Sequence, residues 1–246
     1  MSNKPDLMSL QGEVFLAKMV NGVPSGLRAI GNTPELTLSI TSESVDHFES
    51  KTGNRAKDAV LRKQTGVEIA GTLEELNKEN IALVLSGKTI EIASSTITDE
   101  LLGAVTMDTV VDLGHRNLSA VTFKDGSDVA IADTNYVLDE AFGTVIFNQA
   151  VVGAVKWSGT AGAVDRVTIA DNIGGEYRLL FKGIETYSGD KVALTLWRVE
   201  FSPETELALI NDEWNSCQLT GSTLADISKA NDAQLGIFGH IDRFRI

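Results

Sequence analysis

Only residues 72–87 carry the marks of a helix; nearly everything else consists of short β-branched or alternating runs separated by Gly, Asp, Asn and Ser. That imbalance confines the chain to the mainly β class, a β-sandwich or barrel with one flanking α-helix. Strands are expected at 12–19, 35–41, 66–71, 109–113, 120–123, 136–138, 144–147, 163–170, 176–183, 191–201, 218–224 and 236–246. Tyr177, Leu179 and Phe181 alternate with Arg178, Leu180 and Lys182, which suits a half-buried strand. Val192 to Trp197 is apolar on both faces apart from Thr195, which suits a central one.

The helical stretch opens on Thr72-Leu73-Glu74-Glu75, the spacing of a capping box in which Thr72 and Glu75 satisfy each other's amides. Leu73, Leu76, Ile81, Leu83 and Val84 fall within about 160° of arc at helical period. Asn77 and Asn80 interrupt that face, so partial burial is expected, and Gly87 supplies the C-terminal stop. Residues 96–152 are denser in turns (Asp125-Gly126, Asp133-Thr134-Asn135, Phe142-Gly143) and read as an inserted β module between core segments 1–95 and 153–246. Gly159 to Gly162 and Asn172 to Gly175 read as hinges or turns leading back to the main sheet.

Glu35 to Thr41 alternates with period two and runs into a polar stretch, 44–58, in which both charge signs surround Phe48. Unstructured loops of about 15 residues are uncommon in compact domains and are usually functional or disordered. The expectation is a contact arm, with Asp46, His47, Phe48, Glu49, Lys51, Arg55, Lys57 and Asp58 as its contact residues.

At 246 residues the chain can hide roughly 70–75% of its unfolded surface, so it needs no metal or disulfide to fold. Cys217 is the only cysteine, which excludes an intramolecular disulfide and suits a reducing cytosol. Residues 1–10 carry Lys4, Pro5 and Asp6 without an apolar run behind them, and no segment approaches the roughly 20 apolar residues that cross a bilayer. A soluble cytoplasmic product with no membrane insertion is expected. Thirty-four Asp and Glu against 21 Lys and Arg leave a formal charge of −13, the wrong sign for gripping phosphates.

No catalytic constellation emerges. Ser86-Gly87-Lys88-Thr89 resembles the end of a phosphate-binding loop, but Ala82 stands where that loop needs glycine, and the tetrapeptide ends a helix where carbonyls are exposed. His47, His115 and His240 have no zinc-type spacing with Cys217, and neither a His-Glu-x-x-His nor a Gly-x-Ser-x-Gly motif occurs. Asp125, Asp128 and Asp133 could meet around calcium, although Asp in turns more often bonds its own backbone. The neighbours in Glu74/Glu75 and Asp139/Glu140 point apart, so neither pair forms an acid–base dyad. Trp157, Trp197 and Trp214 are scattered, which favours core or interface packing over a sugar platform. No cofactor is expected, and the reading is of a non-enzyme.

Several blocks in order resemble the tail tube proteins of long-tailed bacteriophages. They are Gly31 to Leu38, Glu43 to Asp58, Val67 to Ala70, Thr72 to Gly87, Tyr177 to Gly183, Val192 to Trp197 and Phe201-Ser202-Pro203, and the resemblance extends over about two thirds of the chain. The resemblance implies a β-sandwich with a flanking helix whose copies form hexameric rings, the inward strands joining into one barrel and the rings stacking into a hollow tube. It implies a long loop reaching neighbouring subunits, a tape measure protein filling the lumen, and terminator and tip proteins at the ends. Genomic DNA would pass through, in a non-contractile virion tail assembled in the host cytoplasm. Six copies would carry 6 × −13 = −78 formal charges, and an acidic lumen would let DNA slide. The expectation from another class is a monomeric β-sandwich module binding a carbohydrate through the inserted turns and an exposed tryptophan.

Overall fold

The computed structural model describes residues 8–51, 53–202, 206–232 and 234–245. The chain runs β1 (Leu10–Val20), β2 (Val23–Pro24), β3 (Arg28–Ala29), β4 (Glu35–Phe48), β5 (Lys57–Leu73), α1 (Lys78–Val84), β6 (Thr89–Ile92), β7 (Ser95–Ala104) and β8 (Val110–Asp112). It continues through β9 (Leu118–Lys124), β10 (Ala130–Ile131), β11 (Tyr136–Asp139), β12 (Thr144–Phe147), β13 (Ala154–Ala161) and β14 (Val164–Val167). It ends with β15 (Glu176–Glu185), β16 (Lys191–Phe201), β17 (Cys217–Thr223) and β18 (Gly239–Phe244). The fold is mainly β, with one α-helix among the described residues. The chain divides into two units, the first formed by 1–88 with 167–246, the second by 89–166. The second is wider on both sides than the module expected at 96–152, because β7 and β13 pair with each other inside it.

In the first unit a nine-stranded sheet has the order β2-β1-β15-β16-β17-β5-β4, with β3 on β1 and β18 on β16. One edge of β16 is shared: Lys191 to Leu196 pair with β18, and Val199 to Phe201 pair with β17. Beyond that fork the sheet curls back, so that Leu36 and Ile69 face Val14 and Leu179 across one core. Alternation does the sorting. On β15, Leu179 is buried and Tyr177 and Phe181 pack against the core, while Lys182 on the other face is exposed. Thr195 is buried although it lies on β16's outer face, so β16 is covered on both sides as its composition suggests.

The helix begins later than the capping-box reading placed it. Thr72 and Leu73 belong to β5, where Leu73 is fully buried opposite Cys217, and burial of that side chain outweighs the local cap. Asn77 caps instead, accepting from the Asn80 amide at 2.9 Å. The helix's apolar face is partly buried, as expected: Leu83 and Val84 are buried, Leu76 and Ile81 half-buried, and Asn80 among them is wholly buried with its polar atoms satisfied. It accepts from Arg28 Nη1 at 2.7 Å and donates to the carbonyls of Ile30 and Glu75 at 2.7 and 2.6 Å. Ser86, with φ +46°, takes the left-handed position of a Schellman ending, its amide reaching Leu83 and that of Gly87 reaching Ala82. Gly87 is needed for a different reason than expected: a Cβ there would lie 1.7 Å from the Thr168 carbonyl oxygen.

The second unit holds a four-stranded sheet, β10-β9-β13-β7, a three-stranded one, β11-β12-β8, and the β6–β14 pair. Its separate core centres on Phe123, Phe147, Val145, Val155 and Trp157. Phe123 meets Tyr136 and Phe147 edge-on, with centroids 4.7 and 5.3 Å apart. Burial first, and then the hydrogen bond to Asp133, push the Tyr136 phenol up to about 12.

Candidate assembly interface

The stretch expected to be a loop is a hairpin. β4 continues unbroken to Phe48 and β5 begins at Lys57, so the 14-residue and 17-residue strands pair along their whole length. β17 covers β5 only from Val67 to Leu73. From Ser42 to Phe48 and Lys57 to Thr65 the ladder therefore has two strands and no third, and every described side chain there is exposed. Seven residues of strand at about 3.3 Å each extend roughly 23 Å. The polar character that masked these strands has a plain cause: neither face is buried by its own chain, so no apolar alternation is required.

Two bulges shape the arm. Lys63 has no opposite number between the pairs Glu43–Gln64 and Ser44–Arg62, and Asp58 has none between His47–Ala59 and Phe48–Lys57. Opposite residues share a face, so Asp46 lies beside Val60 and Phe48 beside Lys57, on the side that continues the core. Val45 and Leu61 pair on the reverse side. Lys57 Nζ lies 2.7 Å from Asp46 Oδ1, and His47 Nδ1 lies 2.5 Å from Asp58 Oδ1. At the tip, the Glu49 amide donates to the Ala56 carbonyl, the Lys51 amide donates to Glu49 Oε2, and Gly53 takes φ +76°. The structure thus brings together Asp46, His47, Phe48, Lys57 and Asp58, and places Glu49, Lys51 and Arg55 in the connecting turn.

The sequence reading missed the apolar part of this arm. Val45, Val60 and Leu61 join Phe48 as exposed apolar side chains, Phe48 at 52% and Leu61 at 64%. The Ala59-Val60-Leu61 run was the available signal. β4 is also the last strand of its sheet, and among the described residues its outer edge has no strand partner. It contains no proline or lysine, and both bulge residues lie on β5, so the edge is guarded only by the charges of Glu35, Glu43 and Asp46.

The solvent-facing side of the same strands is distinctive. Ser39, Glu68, Ser222 and Glu200 form one row across β4, β5, β17 and β16, and Thr37, Ala70 and Thr220 form the next. Glu35, Thr72 and Gln218 form a third. The three rows carry three carboxylates and no cation, and the first row, with Ala70 and Thr220 of the second, lines a concavity of about 540 Å³.

The other candidate groups lie apart from one another. Asp125 Oδ1 accepts from the Ser127 and Val129 amides, Asp128 pairs with Lys156, and Asp133 accepts from the Tyr136 hydroxyl. Among the described residues no group of three or more His, Cys, Asp or Glu is arranged to hold a metal. Glu75 accepts from the Asn32 amide and Glu74 from the Asn32 side chain. Trp157 lies in the second core, Trp197 donates to the Gly236 carbonyl, and Trp214 is 98% exposed. No described helix is long and apolar enough to cross a membrane.

No curated protein is similar enough to match this chain. The family model described as Protein of unknown function UCP028589 matches residues 7–242, and the chain belongs to that family.

Proposed function

We propose that this chain is a structural subunit that assembles with copies of itself. In its specific form it is a phage tail tube protein, stacked as rings around a channel for genomic DNA. The carrying observation is the β4–β5 hairpin: a long open sheet edge leading into an arm whose apolar side chains are exposed among the described residues. Isolated two-stranded hairpins are at best marginally stable in water, and open apolar edges invite other strands. A second copy satisfies both needs at once. The cation-free rows of Glu35, Glu68 and Glu200 suit a channel wall over which a polyanion slides without adhering. In this reading the tape measure protein occupies the lumen before DNA does, the terminator and tip proteins meet the two ends, and the product resides in the virion tail.

Size-exclusion chromatography with negative-stain microscopy tests the proposal. Rings or tubes are expected from the purified chain, and folded monomers from a variant lacking residues 43–58. Normal tubes from that deletion would remove the arm from the mechanism. Material that stays at 26.4 kDa at high concentration in every buffer would end the assembly reading. The exposed Trp214 favours one rival, a monomeric carbohydrate-binding module; Trp214 fluorescence quenched by oligosaccharide in a stable monomer would support that reading instead.

A further inference from the structure

Among the described residues, the first unit's core is closed on one flank and open on another. Leu83 and Val84 of α1 close it at one place. Elsewhere the two layers part around a cleft of about 340 Å³, where Leu10, Leu36, Leu38, Phe181, Leu194 and Ile241 form the apolar lining and Gln11, Asn32, Thr33 and Thr37 add polar groups. Leu38 and Ile241 both reach solvent at its mouth. A cleft of this size is at the small end of ligand pockets, with no convergent charged groups to orient a small polar molecule.

We infer that this cleft receives the arm of a second copy, with Phe48 and Val60 as the anchoring side chains. This rests on the assembly reading above and names the surface to which the arm binds. Three observations converge on that occupant. Phe48 and Val60 lie on the arm face that continues the core side of β4 and β5, yet the arm runs roughly 23 Å past the last strand that could cover them. An arm held by two strands alone gains order only by docking. Charge also favours this chain as the partner. Residues 42–65 carry Lys51, Arg55, Lys57, Arg62 and Lys63 against Glu43, Asp46, Glu49 and Asp58, a formal +1, so the remaining residues carry −14 of the total −13. A slightly cationic arm approaching a strongly acidic body is steered toward it, while two bodies repel. The apolar anchors then supply the desolvated centre that gives such an interface its affinity.

Cross-linking of the full-length chain decides the matter. Cys217 is buried at 1% exposure and its thiol is pushed up by burial, so it can stay in place as a silent background. The double variant Phe48→Cys/Ile241→Cys, treated with a short bismaleimide, is expected to give a ladder of covalent multimers, and either single variant no ladder. Phe48→Ala should raise the concentration needed for assembly by roughly tenfold or more. Leu38→Trp, which fills the cleft, should block assembly while the thermal transition is kept. An anilinonaphthalene dye bound at the cleft should be expelled when copies associate. Assemblies that sediment normally but give no ladder, or that keep the dye, would overturn the inference and leave self-assembly intact. Equal cross-linking by Phe48→Cys alone would place arms against arms and overturn it as well. Absence of any assembly by the unmodified chain would remove both readings together.

Discussion

The two halves of the β4–β5 hairpin share a ladder and differ in everything else. From Glu35 to Thr41 against Gly66 to Thr72, one face buries Leu36 and Ile69 in the core and β17 covers the far edge of β5. From Ser42 to Phe48 against Lys57 to Thr65, the same pairing continues with no third strand and no buried side chain. Hydrogen bonds between strands are common to both halves, so they cannot explain why one belongs to the folded body and the other projects from it. Burial separates them: covered apolar surface contributes about 25 cal/mol per Å², and a lone ladder has almost none.

The sharpest way to break this contrast is a cavity in the covered half. Leu73→Ala, at a fully buried position, should cost about 2–5 kcal/mol in urea unfolding of the monomer. A loss near zero would mean that the covered half is no better anchored than the arm. Asn80→Ala comes next, at about 1–3 kcal/mol, because the Ile30 and Glu75 carbonyls and the Arg28 guanidinium lose their partner together.

A third experiment uses acid. Glu185, buried at the end of β15, accepts from Ser188 and from the Tyr187 amide, which hold its carboxyl at about 2 against an ordinary 4.5. A depressed carboxyl adds stability that is whole above pH 4.5 and drains away as pH falls toward 2. Glu185→Gln should therefore flatten the acid limb of a pH–stability curve.

The smallest effects belong to the arm. Asp46→Ala removes an exposed pair and should shift monomer stability by less than about 1 kcal/mol, and Leu61→Ser by about 0.5 or less. A larger loss from either would show that the arm is already packed against its own chain.

What could be read from sequence follows the same division. β15 and β16 were visible because burial imposes a pattern: Tyr177, Leu179 and Phe181 face the core, and both faces of β16 are covered. The arm was visible as a contact element by its charge and length, yet its strands were hidden, since nothing in one copy demands alternation there. β13 was missed for another reason. Val155, Trp157, Gly159 and Ala161 are buried in strict alternation, but Gly159 and Gly162 resemble punctuation when no side chain marks the period. Thr72 failed as a helix cap because Leu73 is worth more in the core than a capping bond is at the surface.

The fork in β16 carries a mechanical corollary. A pull on the arm travels along β5 into β17 and arrives at Val199 to Phe201, while the neighbouring segment of the same strand is clamped by β18. Force entering through one layer is thereby divided between both, and it meets antiparallel ladders loaded along their length. A particle built from such subunits would stretch as a linked fabric, each copy handing tension to the next through one shared thread.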